Sequence, residues 1–353
     1  MALSKIDLAN MVENQMPQSL IADNINFRNI IINGDMSLSQ RSTSVSSITG
    51  SGYNTVDRYT LQLSSQGTWT QSQSTDVPTG QGFAKSLKMD CTTADASPSA
   101  SDEFSLRQKI EGQNLQYLKK GTSSAESTTV SFWVKSNKIG TYICELRDSD
   151  NSRQINKSYT ISSANTWEKK TITYDGDTTG ALDNDNARSL DVVWWLGAGS
   201  NFTSGTLQTS WGSIVAANRA VGQVNLADST SNEWYITGVQ LEAGTASDFE
   251  FLPVDVNLQR CQRYFETGIV GAAGGLSNGS GYTGSMVSYS TTKRAAATLT
   301  QSSQSYASVY SNTIVLGQTG STNVNDVNGF YHRAINGGAA TNYKFTYTAD
   351  AEL

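Results

Sequence analysis

Hydrophobic and polar residues alternate along much of the chain with the two-residue period of a strand. Val130, Phe132 and Val134 are interleaved with Ser131, Trp133 and Lys135, and Tyr142, Cys144 and Leu146 with Ile143, Glu145 and Arg147. Such alternation sends one set of side chains into a core and the other outward. The turn-rich residues 136–140 between the two runs predict that they form a hairpin. Further strands are predicted at residues 169–174, 190–196 and 234–241, and Tyr343, Phe345 and Tyr347 alternate with Lys344, Thr346 and Thr348 near the last residue. One short helix is expected at residues 112–118. The expected fold class is therefore all-β, an antiparallel jelly-roll sandwich followed by a smaller C-terminal β domain and preceded by a short arm.

The pattern divides the chain into three stretches. Residues 1–28 form the arm, in which Ile6, Leu8, Met11 and Val12 make a short apolar stripe that Pro17 ends. Alone the arm cannot bury that stripe, so it reads either as a frayed terminus or as a segment that docks on a partner. Residues 29–253 carry the sandwich. Residues 254–353 are thin in large aliphatics for their length, and a module of that kind is commonly completed by oligomerisation.

Composition changes the picture mainly by exclusion. With 37% hydrophobic and 16% charged residues among 353, the chain has material for real cores, and Ser, Thr, Asn and Gly supply the turns. A net charge of −6 and only two short basic pairs, Lys119-Lys120 and Lys169-Lys170, argue against a nucleic-acid partner. Cys91, Cys144 and Cys261 are odd in number and far apart, which suits free buried thiols better than disulfides or a metal site. No stretch resembles a secretion signal or a membrane span, so folding in a cytoplasm without membrane insertion is expected.

Several strings, in order, resemble a module of bacteriophage tail-fibre and virion-surface proteins. They are Asn29-Ile-Ile-Ile-Asn-Gly-Asp-Met36 with Gln40-Arg41, Val56-Asp-Arg-Tyr59, Gln108-Lys-Ile-Glu-Gly-Gln-Asn-Leu115, Ser131-Phe-Trp-Val-Lys-Ser136, Asn165-Thr-Trp-Glu-Lys-Lys-Thr-Ile172 and Ile236-Thr-Gly-Val-Gln-Leu-Glu242. The central part is more distantly similar to jelly-roll carbohydrate-binding modules. The resemblance implies a structural virion component without enzymatic activity, assembled in the host cytoplasm and displayed on the particle surface. It further implies an arm that docks on other virion proteins, a homotrimer, and contact with host-surface carbohydrate. A capsid decoration or cement protein is the alternative, and a glycan-degrading enzyme a third.

Candidate chemistry is sparse. His332 is the only histidine, which rules out zinc sites needing two, and a surface or interface place is expected for it. Glu103, Glu111, Glu145, Glu242 and Glu250 could supply paired carboxylates, but no spacing selects a pair. Residues 279–284 spell GxGxxG outside any βαβ setting. Asp148 and Asp150, and Asp183 and Asp185, place hard oxygens close together; polar turns account for both runs, and the resemblance leaves a structural calcium open as the one cofactor. Adjacent Trp194 and Trp195 must point to opposite faces, so one of them has to be covered by a loop or a neighbour or left exposed. Trp69, Trp195 and Trp211 are the candidates for stacking on sugar.

Overall fold

The computed structural model describes residues 27–274, 282–306, 313–319, 322–323, 325–335 and 341–353. The first eleven strands are β1 (Ser44–Tyr53), β2 (Thr60–Ser74), β3 (Ser86–Thr93), β4 (Glu103–Glu111), β5 (Thr128–Ser136), β6 (Gly140–Asp148), β7 (Arg153–Ile161), β8 (Glu168–Tyr174), β9 (Arg188–Ala198), β10 (Gly212–Ser213) and β11 (Glu233–Ala243). They hydrogen-bond in the order β10-β7-β6-β9-β4-β2-β3-β11-β5-β8, with β1 alongside β2, and every pairing is antiparallel.

This continuous ladder is folded over on itself at β2. Thr60–Ser64 of that strand pair with β4, whereas Thr68–Ser74 pair with β3. Between the two halves Ser65 and Gly67 take left-handed backbone angles, and a Cβ on Gly67 would lie 2.3 Å from the Thr93 carbonyl oxygen. Glycine is what lets the strand change sheets there. The result is a jelly-roll sandwich with β7-β6-β9-β4 on one side and β3-β11-β5-β8 on the other. Rings meet across the gap: Phe132 of β5 packs edge-on against Tyr159 of β7 and Trp194 of β9, with centroids 5.1 and 6.0 Å apart.

The expected hairpin of residues 130–147 does not form. β5 pairs with β11 and β8, and β6 pairs with β7 and β9, so residues 137–139 arch from one sheet to the other. Val130, Phe132, Val134, Tyr142, Cys144 and Leu146 all enter the same core, as the alternation required. Two strands facing one core show the same period whether they lie side by side or opposite each other. The predicted helix at 112–118 is two single 3₁₀ turns, Gly112–Asn114 and Gln116–Leu118. The three cysteines are free and buried.

Helix α1 (Ser200–Thr203) lies in the long connection after β9, and α2 (Val254–Gln262), which no periodicity announced, follows the sandwich. The chain continues through β12 (Phe265–Gly274), β13 (Tyr282–Ser288), β14 (Thr298–Tyr306), β15 (Thr313–Leu316), β16 (Gln318–Thr319), β17 (Thr322–Asn323), β18 (Gly329–Ile335) and β19 (Thr341–Asp350). These form the three-stranded sheets β12-β19-β14 and β13-β18-β15 and the pair β16-β17. Their own cluster gathers Tyr289, Phe330, Phe345 and Tyr347 with Ala297, Ala349 and Ala351.

The two parts are joined by cations on rings and by ion pairs. Arg58 lies 3.3 Å from the centre of the Tyr264 ring and pairs with Glu352, Arg41 lies 3.7 Å from Phe265, and Arg263 makes two 2.8 Å hydrogen bonds to Glu111. Asn29 and Asn33 stitch the first described loop to β11, to Asp57 and to Asn257 of α2. The strings that resemble phage proteins near residues 29–41 and 56–59 are thus the joint of this molecule.

Candidate functional site

Two of the three tryptophans expected to present a sugar platform cannot do so. Trp69 is fully buried, its ring 4.4 Å from Phe104 and its indole N–H donating to the Gln66 carbonyl at 2.7 Å. Trp194 takes the core side of β9, so Trp195 points outward as the geometry demands, yet it too is fully buried. The connection after β9 folds back over it: Phe202 packs 5.4 Å away, the Arg219 guanidinium lies 4.8 Å from the ring, and Ala220 joins the cluster. Its indole N–H donates to Glu145 Oε2 at 2.8 Å, and Arg219 grips both oxygens of that carboxylate at 3.0 Å. Trp211 stays half-buried, donating to the Asp175 carbonyl at 2.7 Å with the Lys120 ammonium 4.7 Å from its ring.

Three of the four aspartates considered for calcium have other partners for their carboxylates. Asp148 is buried and ion-paired with Lys120, whose ammonium also holds Asp177 and the Gly180 carbonyl, each at 2.9 Å. Asp150 accepts from the backbone of Asp183, and Asp185 from that of Ala187. Among the described residues no three His, Cys, Asp or Glu side chains gather as a metal site. His332, expected at a surface or interface, is buried in β18, where Nε2 lies 2.9 Å from Ser285 Oγ and the ring packs edge-on against Phe345; burial lowers its pKa. The five glutamates are each engaged, Glu103 by Arg107, Glu111 by Arg263, Glu145 by Arg219, Glu242 by Ser247 and Glu250 by the backbone of residues 27 and 29. The GxGxxG letters at 279–284 begin outside the described residues, as do Ile6, Leu8, Met11 and Val12 of the arm.

What the fold does leave open is an aromatic face on the outer side of β3-β11-β5-β8. Outward positions are set by register: Lys88, Tyr235 and Lys135 stand in one row across β3, β11 and β5, and Thr237, Trp133 and Lys169 in the next across β11, β5 and β8. Trp167, immediately before β8, packs edge-on to Tyr235 at 6.1 Å. Its indole N–H donates to Asp76 Oδ1 at 3.0 Å, and the other oxygen of Asp76 takes Lys135. The Lys135 ammonium lies 4.3 Å from the Tyr235 ring centre. Tyr235 donates to Glu233 Oε2 at 2.9 Å, and Lys88 pairs with the same oxygen at 2.7 Å. Trp133 and Trp167 remain half-buried.

These contacts fix the charges of the face. Burial opposes ionisation of Asp76, but the hydrogen bonds from Lys135 and Trp167 outweigh it and lower its pKa. Glu233 is likewise lowered, burial being outweighed by Lys88 and Tyr235. Burial and Glu233 push the Tyr235 phenol up to about 12. At neutral pH the face therefore offers two half-open indoles ringed by fixed ionic acceptors and donors, an arrangement that suits C–H faces and hydroxyls presented together. Sequence reasoning missed Trp167 because it precedes its strand and shows no alternation. Trp133 was readable as outward from its place between Phe132 and Val134.

No family model matches the chain, and no curated protein does. Among solved structures it is similar to the enzymatically active domain of tailspike protein 4 of bacteriophage CBA120, at 12% identity and a TM-score of 0.33, over 62% of this chain and 22% of that one. It is also similar to TmCBM61, solved in complex with β-1,4-galactotriose, at 9% identity and a TM-score of 0.31, over 62% and 99%. The family 11 carbohydrate-binding module of the cellulosomal cellulase Lic26A-Cel5E of Clostridium thermocellum follows at 11% and 0.25, over 57% and 99%. At such identities and scores the fold rests on this chain's own strand order.

Proposed function

We propose that the chain is a non-enzymatic structural protein of a tailed bacteriophage particle that binds host-surface glycan through the outer face of β3-β11-β5-β8. One observation carries the binding half: Trp133 and Trp167 are left half-open beside ion-paired acids and ammoniums, whereas Trp195 on the opposite outer face is covered by the chain itself. A pyranose ring stacks its C–H face on an indole and hydrogen-bonds its hydroxyls to fixed carboxylates and ammoniums. The virion half rests on the ordered resemblance in sequence, and in this reading residues 1–28 attach a homotrimer to the particle, where repeated copies turn weak contacts into avidity.

The test is binding of the full-length protein to envelope polysaccharide from candidate host cells, with Trp167→Ala and Trp133→Ala alongside. Each substitution is expected to weaken binding about tenfold, the equivalent of about 1.4 kcal/mol, while reducing-end release stays at background. Unchanged binding by both variants would overturn the face, and release of reducing ends would overturn the non-enzymatic reading.

A further inference from the structure

The outer side of the other sheet carries a different chemistry. Five cations, Arg107 and Lys109 on β4, Arg147 on β6, Arg188 on β9 and Arg219 in the covering connection, share it with three carboxylates. Each carboxylate is already matched: Glu103 by Arg107, Glu145 by Arg219, and Asp191 by Arg188, whose Nε donates at 2.6 Å. Two cations of this face make no ion pair with a side-chain carboxylate among the described residues. Arg147 and Lys109 flank Asp191 in a single row across β6, β9 and β4. Lys109 reaches the main-chain oxygen of Leu353, and Arg147 has no acidic partner among the described residues, its Nε being buried with no hydrogen bond.

From this row we propose that the outer face of β6-β9-β4 binds an oxyanion, a carboxylate, sulfate or phosphate, held between the Arg147 guanidinium and the Lys109 ammonium. A chain of net charge −6 has acids to spare, yet among the described residues none of them makes an ion pair with Arg147. An uncompensated, part-buried guanidinium is costly, and an anion arriving from outside relieves that cost. Asp191 does not repel such a ligand strongly, because Arg188 neutralises it from the same strand. The electrostatics agree in direction: burial, then Arg219 and Arg188 for Arg147 and Arg188 and Arg107 for Lys109, lower the affinity of both groups for their protons and outweigh the opposing pull of Glu145 and Asp191 on the first and of Asp191 and Glu352 on the second. A planar fork beside a point charge is the pairing that suits an oxyanion with several acceptor oxygens.

The site is independent of the aromatic face, so the two stand or fall separately. Calorimetric titration of the full-length protein at low salt with inorganic phosphate, polygalacturonate, dextran sulfate and neutral dextran tests it, with Arg147→Gln, Lys109→Gln and Trp167→Ala run in parallel. Wild type should bind phosphate or at least one anionic polymer, and neutral dextran should show no contribution from this face. Arg147→Gln and Lys109→Gln should each weaken anion binding tenfold or more, and Trp167→Ala should leave it unchanged. Phosphate binding without polymer binding identifies a free ion as the ligand, and preference for one polymer identifies the glycan substituent. Failure of wild type to bind any of the anions, or equal binding by well-folded Arg147→Gln and Lys109→Gln proteins, would overturn the proposal. Circular dichroism melts select the variants that count.

Discussion

Trp195 and Trp167 both sit on outer faces of one sandwich, and the chain treats them oppositely. Trp195 is sealed under Phe202, Ala220 and Arg219, with its indole N–H satisfied by a buried glutamate. Trp167 is left half-open, with its indole N–H tied to Asp76, a residue that is itself exposed. The long connection after β9 is what makes the difference, since among the described residues nothing comparable crosses β5 and β8. An outward-pointing aromatic residue is therefore structural or available according to what a distant loop covers, and the strand that carries it does not decide the matter.

Breaking the sealed face should cost most. Trp195→Ala removes the largest side chain of that cluster and strips Glu145 of a donor, so a loss of about 3–5 kcal/mol is expected in urea unfolding. Trp167→Ala should cost less than about 1 kcal/mol in the same assay, as for an exposed substitution. Equal losses would show that the two faces are equally structural and would end the comparison. Glu145→Gln comes next, at about 3 kcal/mol, because it takes from the buried Arg219 guanidinium its two-pronged charge partner and leaves it only Glu103, at 4.0 Å. Gly67→Ala should cost about 1–3 kcal/mol, since its left-handed angle and the nearby Thr93 carbonyl both oppose a side chain where the two sheets join. If Gly67→Ala were neutral, the fold-over at β2 would have another origin.

How far this was legible in the sequence follows from what alternation can report. It gave the two alternating sets of β5 and β6 and marked β9 and β11 as strands, because burial on one face imposes the two-residue period locally. It could not tell that β5 and β6 lie in opposite sheets, since Phe132 and Cys144 enter one core in either arrangement. It put Trp194 and Trp195 on opposite faces but could not name which outer residue would be covered, because Arg219 and Phe202 come from a segment with no regular pattern. Helix α2 escaped for a related reason: in Val254–Gln262 only Asn257 and Cys261 are buried, so there is no apolar stripe to read. The joint at Arg58, Tyr264 and Glu352 was visible only as a string resembling other proteins, its partners being hundreds of residues apart.

The corner around Trp211 lies between the two extremes and should respond most gently. There Asp177 accepts from Arg153 at 2.7 Å and from Lys120 at 2.9 Å, beside the ammonium that covers the Trp211 ring. Burial alone would raise the pKa of Asp177, but those hydrogen bonds outweigh it and bring it down to about 2. A carboxylate depressed in the folded state stabilises the fold above its unfolded value, near 3.8, and that contribution disappears as the pH falls through about 2. Wild type should therefore lose stability between about pH 4 and pH 2 more steeply than Asp177→Asn, and the variant should be the less stable of the two at pH 7. Urea midpoints for both proteins at pH 7, 4 and 3 measure this directly. Parallel pH dependences would mean that the Lys120 cluster is screened like an ordinary surface pair, which would move the Trp211 corner to the open side of the comparison.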